Sequence, residues 1–123
     1  MEFKKHQSIY LQIEDMICEH IITGKWLVGD KIKSVRELAA NIEVNPNTVM
    51  RAYAHLQEDG LIHNKRGIGY FVSEGAPEKI KKMQQDEFVK IELAEIFRKM
   101  EILGIQFSDL EKLHDDYKKT TKN

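Results

Sequence analysis

Asn45, Asn47 and Thr48, flanked by Arg36 and Arg51, carry the side chains in this chain best suited to reading a nucleic acid. An asparagine amide on a helix can pair with N6 and N7 of adenine in a major groove, and a threonine can donate to a phosphate or touch a thymine methyl. Arginines at 36 and 51 can clamp phosphates on either side of such a groove. Further along, Lys65 and Arg66 run into Gly67 and Gly69. Cations on a glycine loop can approach phosphates or a minor groove. Lys31 and Lys33 add charge ahead of Arg36. A few neighbouring cations usually mark only a solvated face, so the pattern gains meaning if a fold gathers them.

Two short helices are expected to do the gathering. Ser34 with Glu37 three residues on forms a capping box. Asn45 before Pro46 is an N-cap with proline at the first helical position. The first of these helices runs from Ser34 to about Asn41, with Val35, Leu38, Ala39 and Ile42 facing inward. Val44 sits at the corner between the two. The second runs from Pro46 to about Asp59, with Val49, Ala52, Tyr53 and Leu56 inside and Asn47, Thr48, Arg51 and His55 more exposed. Capped helices joined this closely form a helix-turn-helix, whose second helix is built to enter a major groove. Leu61–Asn64 and Gly69–Ser73 read as two strands around a Lys65–Ile68 loop, which adds a wing. Ahead of them, residues 8–23 show helical spacing at Ile9, Ile13, Met16, Ile17 and Ile21, with Gly24 as the cap. Trp26–Ile32 is expected to be a short extended piece with a Gly-Asp turn, and Trp26 a core anchor.

Gly75-Ala76-Pro77-Glu78 marks a boundary, dividing the chain into a winged helix-turn-helix at 1–75 and a helical region at 76–123. Val89, Leu93, Ile96, Met100 and Leu103 recur at heptad spacing, and Phe97, Phe88, Ile91 and Ile80 widen the apolar face. Gly104 breaks the helix. Ser108 with Glu111 reads as a second capping box, opening a last short helix with Leu110, Leu113 and Tyr117. Such a hairpin cannot bury its own apolar face. A second copy is the favoured partner, so Val89, Leu93, Ile96, Phe97, Met100 and Leu103 are the expected dimerisation residues. The expected fold class is mainly α with a small β-hairpin: a winged helix-turn-helix followed by a short helical hairpin for dimerisation.

The formal net charge is −1, and residues 1–75 hold nine Lys or Arg against ten Asp or Glu. A nucleic-acid partner therefore depends on local clustering. Cys18 is the only cysteine. No intramolecular disulfide is possible, which suits a reducing cytoplasm. Its apolar neighbours make it a buried small hydrophobe in preference to a redox sensor. No apolar run is long enough to span a membrane or open a signal peptide. His55 and His63 stand alone in sequence, with no accompanying ligand cluster for a metal. Without a nucleophile-base pair or a phosphate-binding glycine loop, no enzyme and no cofactor are expected.

Several segments together resemble the GntR family of bacterial transcription regulators. They are Ser8–Ile13, Gly24–Ile32, Ser34–Ala39, Val44–Val49, Ala52-Tyr53, Leu56, Gly60–Ile62 and Gly67–Val72. The short two-helix tail is similar to that of the YtrA-like subfamily. The resemblance implies a cytoplasmic homodimeric repressor bound to double-stranded operator DNA, its two recognition helices matching a palindrome. It places Arg36 at a DNA-contacting arginine of the first short helix, Asn45, Asn47 and Thr48 at the start of the recognition helix, and Gly67 at the wing tip. Two positions depart from the family pattern. Lys33 stands where a proline often precedes the serine, and can contact a phosphate or lie in solvent. Pro46 replaces an arginine or serine that often touches DNA, which shifts base readout to Asn45, Asn47, Thr48 and the wing. The expected DNA-binding set is Lys33, Ser34, Arg36, Asn45, Pro46, Asn47, Thr48, Arg51, Lys65, Arg66, Gly67 and Gly69. A small-molecule effector, if one exists, would bind at the helix hairpin, the dimer interface or the domain junction. The competing reading is a winged-helix protein-interaction module with a coiled-coil-like tail.

Overall fold

The computed structural model describes residues 7–121, and its elements follow closely from local sequence. Helix α1 spans Ile9–Ile22 and buries Ile13, Ile17 and Ile21 at successive turns. The chain leaves it through Thr23, and the Gly24 N–H donates to the Ile21 carbonyl at 3.2 Å. Trp26–Ile32 holds the expected Gly-Asp turn, and its end runs along the strand Gly69–Val72. The Gly29 N–H donates to the Val72 carbonyl at 2.9 Å, the Val72 N–H to the Asp30 carbonyl at 3.0 Å and the Ile32 N–H to the Tyr70 carbonyl at 3.0 Å. The Asp30 carboxylate accepts from the Leu27 N–H at 2.8 Å, and the Asp30 N–H donates back to the Leu27 carbonyl at 2.9 Å. Asp30 thus closes the turn, and Lys31 bridges to Phe71. Trp26 packs, half-buried, against the core.

Helix α2 spans Val35–Ile42 and opens on the complete capping box. The Glu37 N–H donates to Ser34 Oγ at 3.1 Å, and the Ser34 N–H donates to Glu37 Oε1 at 3.2 Å. Helix α2 ends at Glu43, which takes φ 55° and a left-handed conformation. That conformation costs a residue with a Cβ about 1–2 kcal/mol. It lets Val44 turn back against the core, its N–H donating to Ala39. Helix α3 then spans Pro46–Glu58, with the Asn45 side chain accepting from the Asn47 N–H at 2.8 Å. Strands β1 (Ile62–Lys65) and β2 (Gly69–Val72) pair antiparallel, with Ile62 opposite Val72 and Lys65 opposite Gly69. Helix-turn-helix and hairpin together make a winged helix.

Its core joins the buried faces of α1, α2 and α3 to Leu61, Ile62 and Val72, with Tyr53 and Ile17 fully enclosed. Each such aliphatic side chain contributes about 1.5–3 kcal/mol on burial. Helix α4 (Ala76–Glu87) adds Ala76 and Ile80 to the same core. The compact unit accordingly runs to Met83, beyond the boundary drawn at residue 75, and a second begins at Gln84.

In the second unit a π-helical stretch, Phe88–Leu93, precedes helix α5 (Ala94–Leu103). The i→i+5 bonding of that stretch adds a residue to its turn, so the heptad seam does not keep one azimuth through it. Gly104 closes α5 in a left-handed conformation. Helix α6 spans Phe107–Thr121, longer than expected. It starts one residue before the capping box read at Ser108 and Glu111. The carboxylate reaching back is Asp109, which accepts from the Gln106 N–H at 3.0 Å. Among the described residues, no helix is long and apolar enough to cross a membrane.

Candidate nucleic-acid interface

Residues on α3 alternate between anchoring the helix and facing outward. Val49, Ala52, Tyr53 and Leu56 are buried, which turns Asn47, Arg51, Ala54 and Glu58 to the opposite, exposed face. Tyr53 does more than fill the core. Its hydroxyl donates to the Lys33 carbonyl at 2.6 Å, and its ring meets Tyr70 of β2 edge-on at 4.9 Å. One side chain of α3 thereby fixes both the chain entering α2 and the base of the wing. Burial pushes its phenol well above the usual range, so it remains a donor.

The helix starts converge on a shallow depression lined by Ser34, Val35, Arg36, Pro46, Asn47, Met50 and Tyr70. Arg36 is exposed there, and among the described residues no ion pair engages it, with Glu37 and Glu43 included. Glu37 is committed to the cap, and the Ser34 backbone N–H holds its carboxyl below the usual range. Asn45 is likewise committed through Oδ1, leaving its amide NH₂ for other partners. Thr48 is half-buried, whereas Asn47 is fully open. Pro46 lines the depression without a donor, as its chemistry requires.

Arg51 projects from the outer face of α3, and its guanidinium lies 3.9 Å from the centre of the Tyr10 ring. The ring fixes the direction of a long side chain that is otherwise costly to order. In the wing, Lys65 Nζ sits 4.5 Å over the Phe71 ring, and Arg66, Gly67 and Ile68 form the exposed tip. Gly67 takes φ 78° with nothing within 4 Å of a would-be Cβ. Gly69 takes φ 143°, and a Cβ there would lie 2.9 Å from Lys31 Cε. That is the far end of a flexible side chain that can move aside, so the positive φ, more than space, is what favours glycine there.

The structure thus brings Ser34, Arg36, Pro46 and Asn47 around one depression. Arg51 stands on the adjoining face of α3, and Lys65 to Gly69 stand on the wing. Lys33 joins the group through its carbonyl contact with Tyr53. Met50, Tyr70 and Tyr10 were not singled out from sequence. Met50 is 48% exposed at the depression. An exposed methionine on the outer flank of a capped helix is the signal that could have found it. The pairing of Tyr10 with Arg51 needs the α1–α3 packing and has no local signature.

Two histidines behave differently from their isolated look in sequence. His63 Nδ1 is 2.9 Å from Ser73 Oγ, and its ring stacks on Phe71. His55 Nδ1 is 2.6 Å from Oε1 of Glu14, a residue brought from α1, and Asp59 lies close by. Contact with the Glu14 carboxylate raises the His55 pKa, and burial raises that of Glu14. The expectation that no ligand cluster accompanies His55 is therefore corrected, because sequence spacing cannot register a partner on another helix. Burial, together with Asp15, Glu14 and Asp59, pushes the Cys18 thiol up to about 12. The side chain is partly, not fully, buried and packs against the core.

The model of the bacterial regulatory proteins of the gntR family matches residues 9–72. The chain is 36% identical over 104 residues to the HTH-type transcriptional regulator YhcF of Bacillus subtilis (strain 168), covering 85% of this chain and 84% of that one. It is 37% identical over 107 residues to the HTH-type transcriptional repressor YtrA of the same organism, covering 87% of this chain and 79% of that one. Among solved structures, a GntR-family regulator from Bacteroides thetaiotaomicron superposes with a TM-score of 0.82 at 41% identity, covering 94% of this chain and all of that one.

Proposed function

The chain belongs to the GntR family and is a transcription regulator with YtrA-type relatives, and on that footing we propose that it is a homodimeric repressor of a palindromic operator. The observation that carries the site assignment is the exposed start of α3 beside Arg36, with Asn47 open to solvent and no ion pair on Arg36 among the described residues. In the proposed complex α3 lies in the major groove. Asn47 reads an adenine edge, and Met50 meets a thymine methyl. Ser34, Arg36 and Lys33 hold phosphates on one side, and Arg51 holds them on the other. Thr48 and the Asn45 amide take the backbone near the helix start, where the α3 dipole favours a phosphate. The wing, through Lys65, Arg66 and the open loop at Gly67 and Gly69, takes the neighbouring groove.

Dimerisation is assigned to the second unit. Val89, Ile96, Phe97 and Leu103 are all at least 40% exposed, and Leu93 and Met100 are half-buried beside them. An apolar face of that extent calls for a partner. A second copy supplies the twofold symmetry that two half-sites need.

A mobility-shift titration on a selected operator duplex, repeated at rising salt, tests the two kinds of contact. Arg36→Ala is expected to weaken all sequences alike and to lower the salt slope by about one unit. Asn47→Ala is expected to cost about 1–3 kcal/mol on the operator and to relax specificity at one base pair. An unchanged salt slope for the first variant, or undiminished discrimination in the second, sinks the corresponding assignment. Failure of the wild type to shift any duplex favours a protein-interaction module.

A further inference from the structure

One side-chain cluster lies outside the surface assigned to DNA and joins parts of the chain far apart in sequence. Glu14 of α1, His55 of α3 and Asp59 at its end each offer one metal-ligating atom, and these atoms lie within 4.8 Å of one another. Glu14 is buried while His55 and Asp59 are exposed, so the cluster has a closed floor and an open side. One Glu14 oxygen faces His55 Nδ1 at 2.6 Å. The other, Oε2, is shut off from solvent and has no hydrogen-bond partner. A buried carboxylate oxygen without a protein hydrogen-bond partner is rare in a folded protein. Asp59 aggravates the situation, since a second negative charge opposes ionisation of Glu14. Arg51, one turn before His55, lies over the Tyr10 ring, and among the described residues it makes no ion pair with the cluster. A cation between the three side chains would offset the opposition of Glu14 and Asp59, and bidentate binding by Glu14 would also give Oε2 a partner.

We propose that Glu14, His55 and Asp59 form a binding site for a divalent transition metal of the zinc type, tying α1 to the last turn of α3. One imidazole nitrogen with two carboxylates is a sound three-ligand set for Zn²⁺, and the open side admits water as the fourth ligand. Bonds of about 2 Å ask the donor atoms to sit around the ion. The exposed Asp59 side chain swings inward to meet it, and His55 gives up its close approach to Glu14. His55 binds as the neutral imidazole through Nδ1, with its proton on Nε2. Because α3 also carries Asn47 and Arg51, metal occupancy would bias the helix proposed to read DNA. That consequence rests on the DNA-binding reading, and the binding site itself does not.

The test is calorimetric titration of the full chain, stripped with chelator and dialysed, with ZnCl₂. Wild type, Asp59→Asn and His55→Gln are compared, and circular dichroism confirms that each is folded without metal. One saturable site is expected in the wild type, with a rise in Tm on metal addition. Both variants are expected to bind about tenfold more weakly or worse and to lose the Tm rise. The proposal is overturned if the wild type shows no saturable binding up to millimolar ZnCl₂. It is equally overturned if either folded variant keeps wild-type affinity, since the ion then sits elsewhere. Neither result bears on whether the protein binds DNA.

Discussion

At the scale of single residues, the side chains that start the helices stand beside those proposed to recognise DNA. Ser34 and Asn45 cap helices with one oxygen, and that capping positions Arg36 and Asn47. Sequence made these roles legible because a cap is a short-range device with a fixed residue grammar. Tyr53 was visible only as an apolar residue on an inner face. Its bond to the Lys33 carbonyl links residues twenty positions apart and leaves no local trace. The Glu14–His55 contact was hidden for the same reason. It also makes a prediction about pH. His55 holds its proton more tightly folded than unfolded, because the Glu14 carboxylate faces it. Its contribution to stability is therefore complete below the unfolded pKa, about 6.5. It is lost as pH rises through the higher folded value. Thermal melts of wild type and His55→Gln in chelator, taken across pH, are expected to differ most in mild acid and to converge in alkali. A gap that widens with pH contradicts the sign of this linkage.

At the scale of elements, the expected helices and strands of the winged domain lie within a residue or so of where sequence placed them. Periodicity and capping act within a few residues, so they survive tertiary context there. The misses fall where that logic gives out. Asp109, and not Glu111, reaches back to the start of α6. The π-helical stretch Phe88–Leu93 interrupts a seam that presumes uniform pitch. Helix α4 shows the strongest effect of packing over local punctuation. The Gly75–Glu78 cluster looks like a linker, yet Ala76 and Ile80 complete the core. Ile80→Ala is accordingly expected to destabilise the winged-helix unit by about 2–5 kcal/mol, as for any fully buried aliphatic. Urea unfolding of the full chain, followed by Trp26 fluorescence, measures it. A cost under about 0.5 kcal/mol would show that α4 does not belong to that core.

At the scale of the molecule, a net charge of −1 and a DNA partner are compatible because charge is distributed by the fold and not by composition. Cations collect near the starts of α2 and α3 and on the wing. The symmetry of the proposed assembly is not legible from one chain's composition either, and follows from an apolar face that its own unit leaves open. Phe97→Glu is expected to shift the molar mass in sedimentation or light scattering from dimer to monomer, since a carboxylate in an apolar interface is strongly disfavoured. Operator affinity should fall with it, while the thermal melt of the winged-helix unit stays close to wild type. A variant that remains dimeric places the interface elsewhere. The most direct test of the whole account is selection of the full chain against a pool of random DNA duplexes, followed by sequencing of the bound fraction. The account predicts enrichment of an inverted repeat whose two half-sites are spaced for a twofold dimer with one α3 in each. A bound pool with no sequence enrichment, or with an isolated half-site and no symmetric partner, would contradict it.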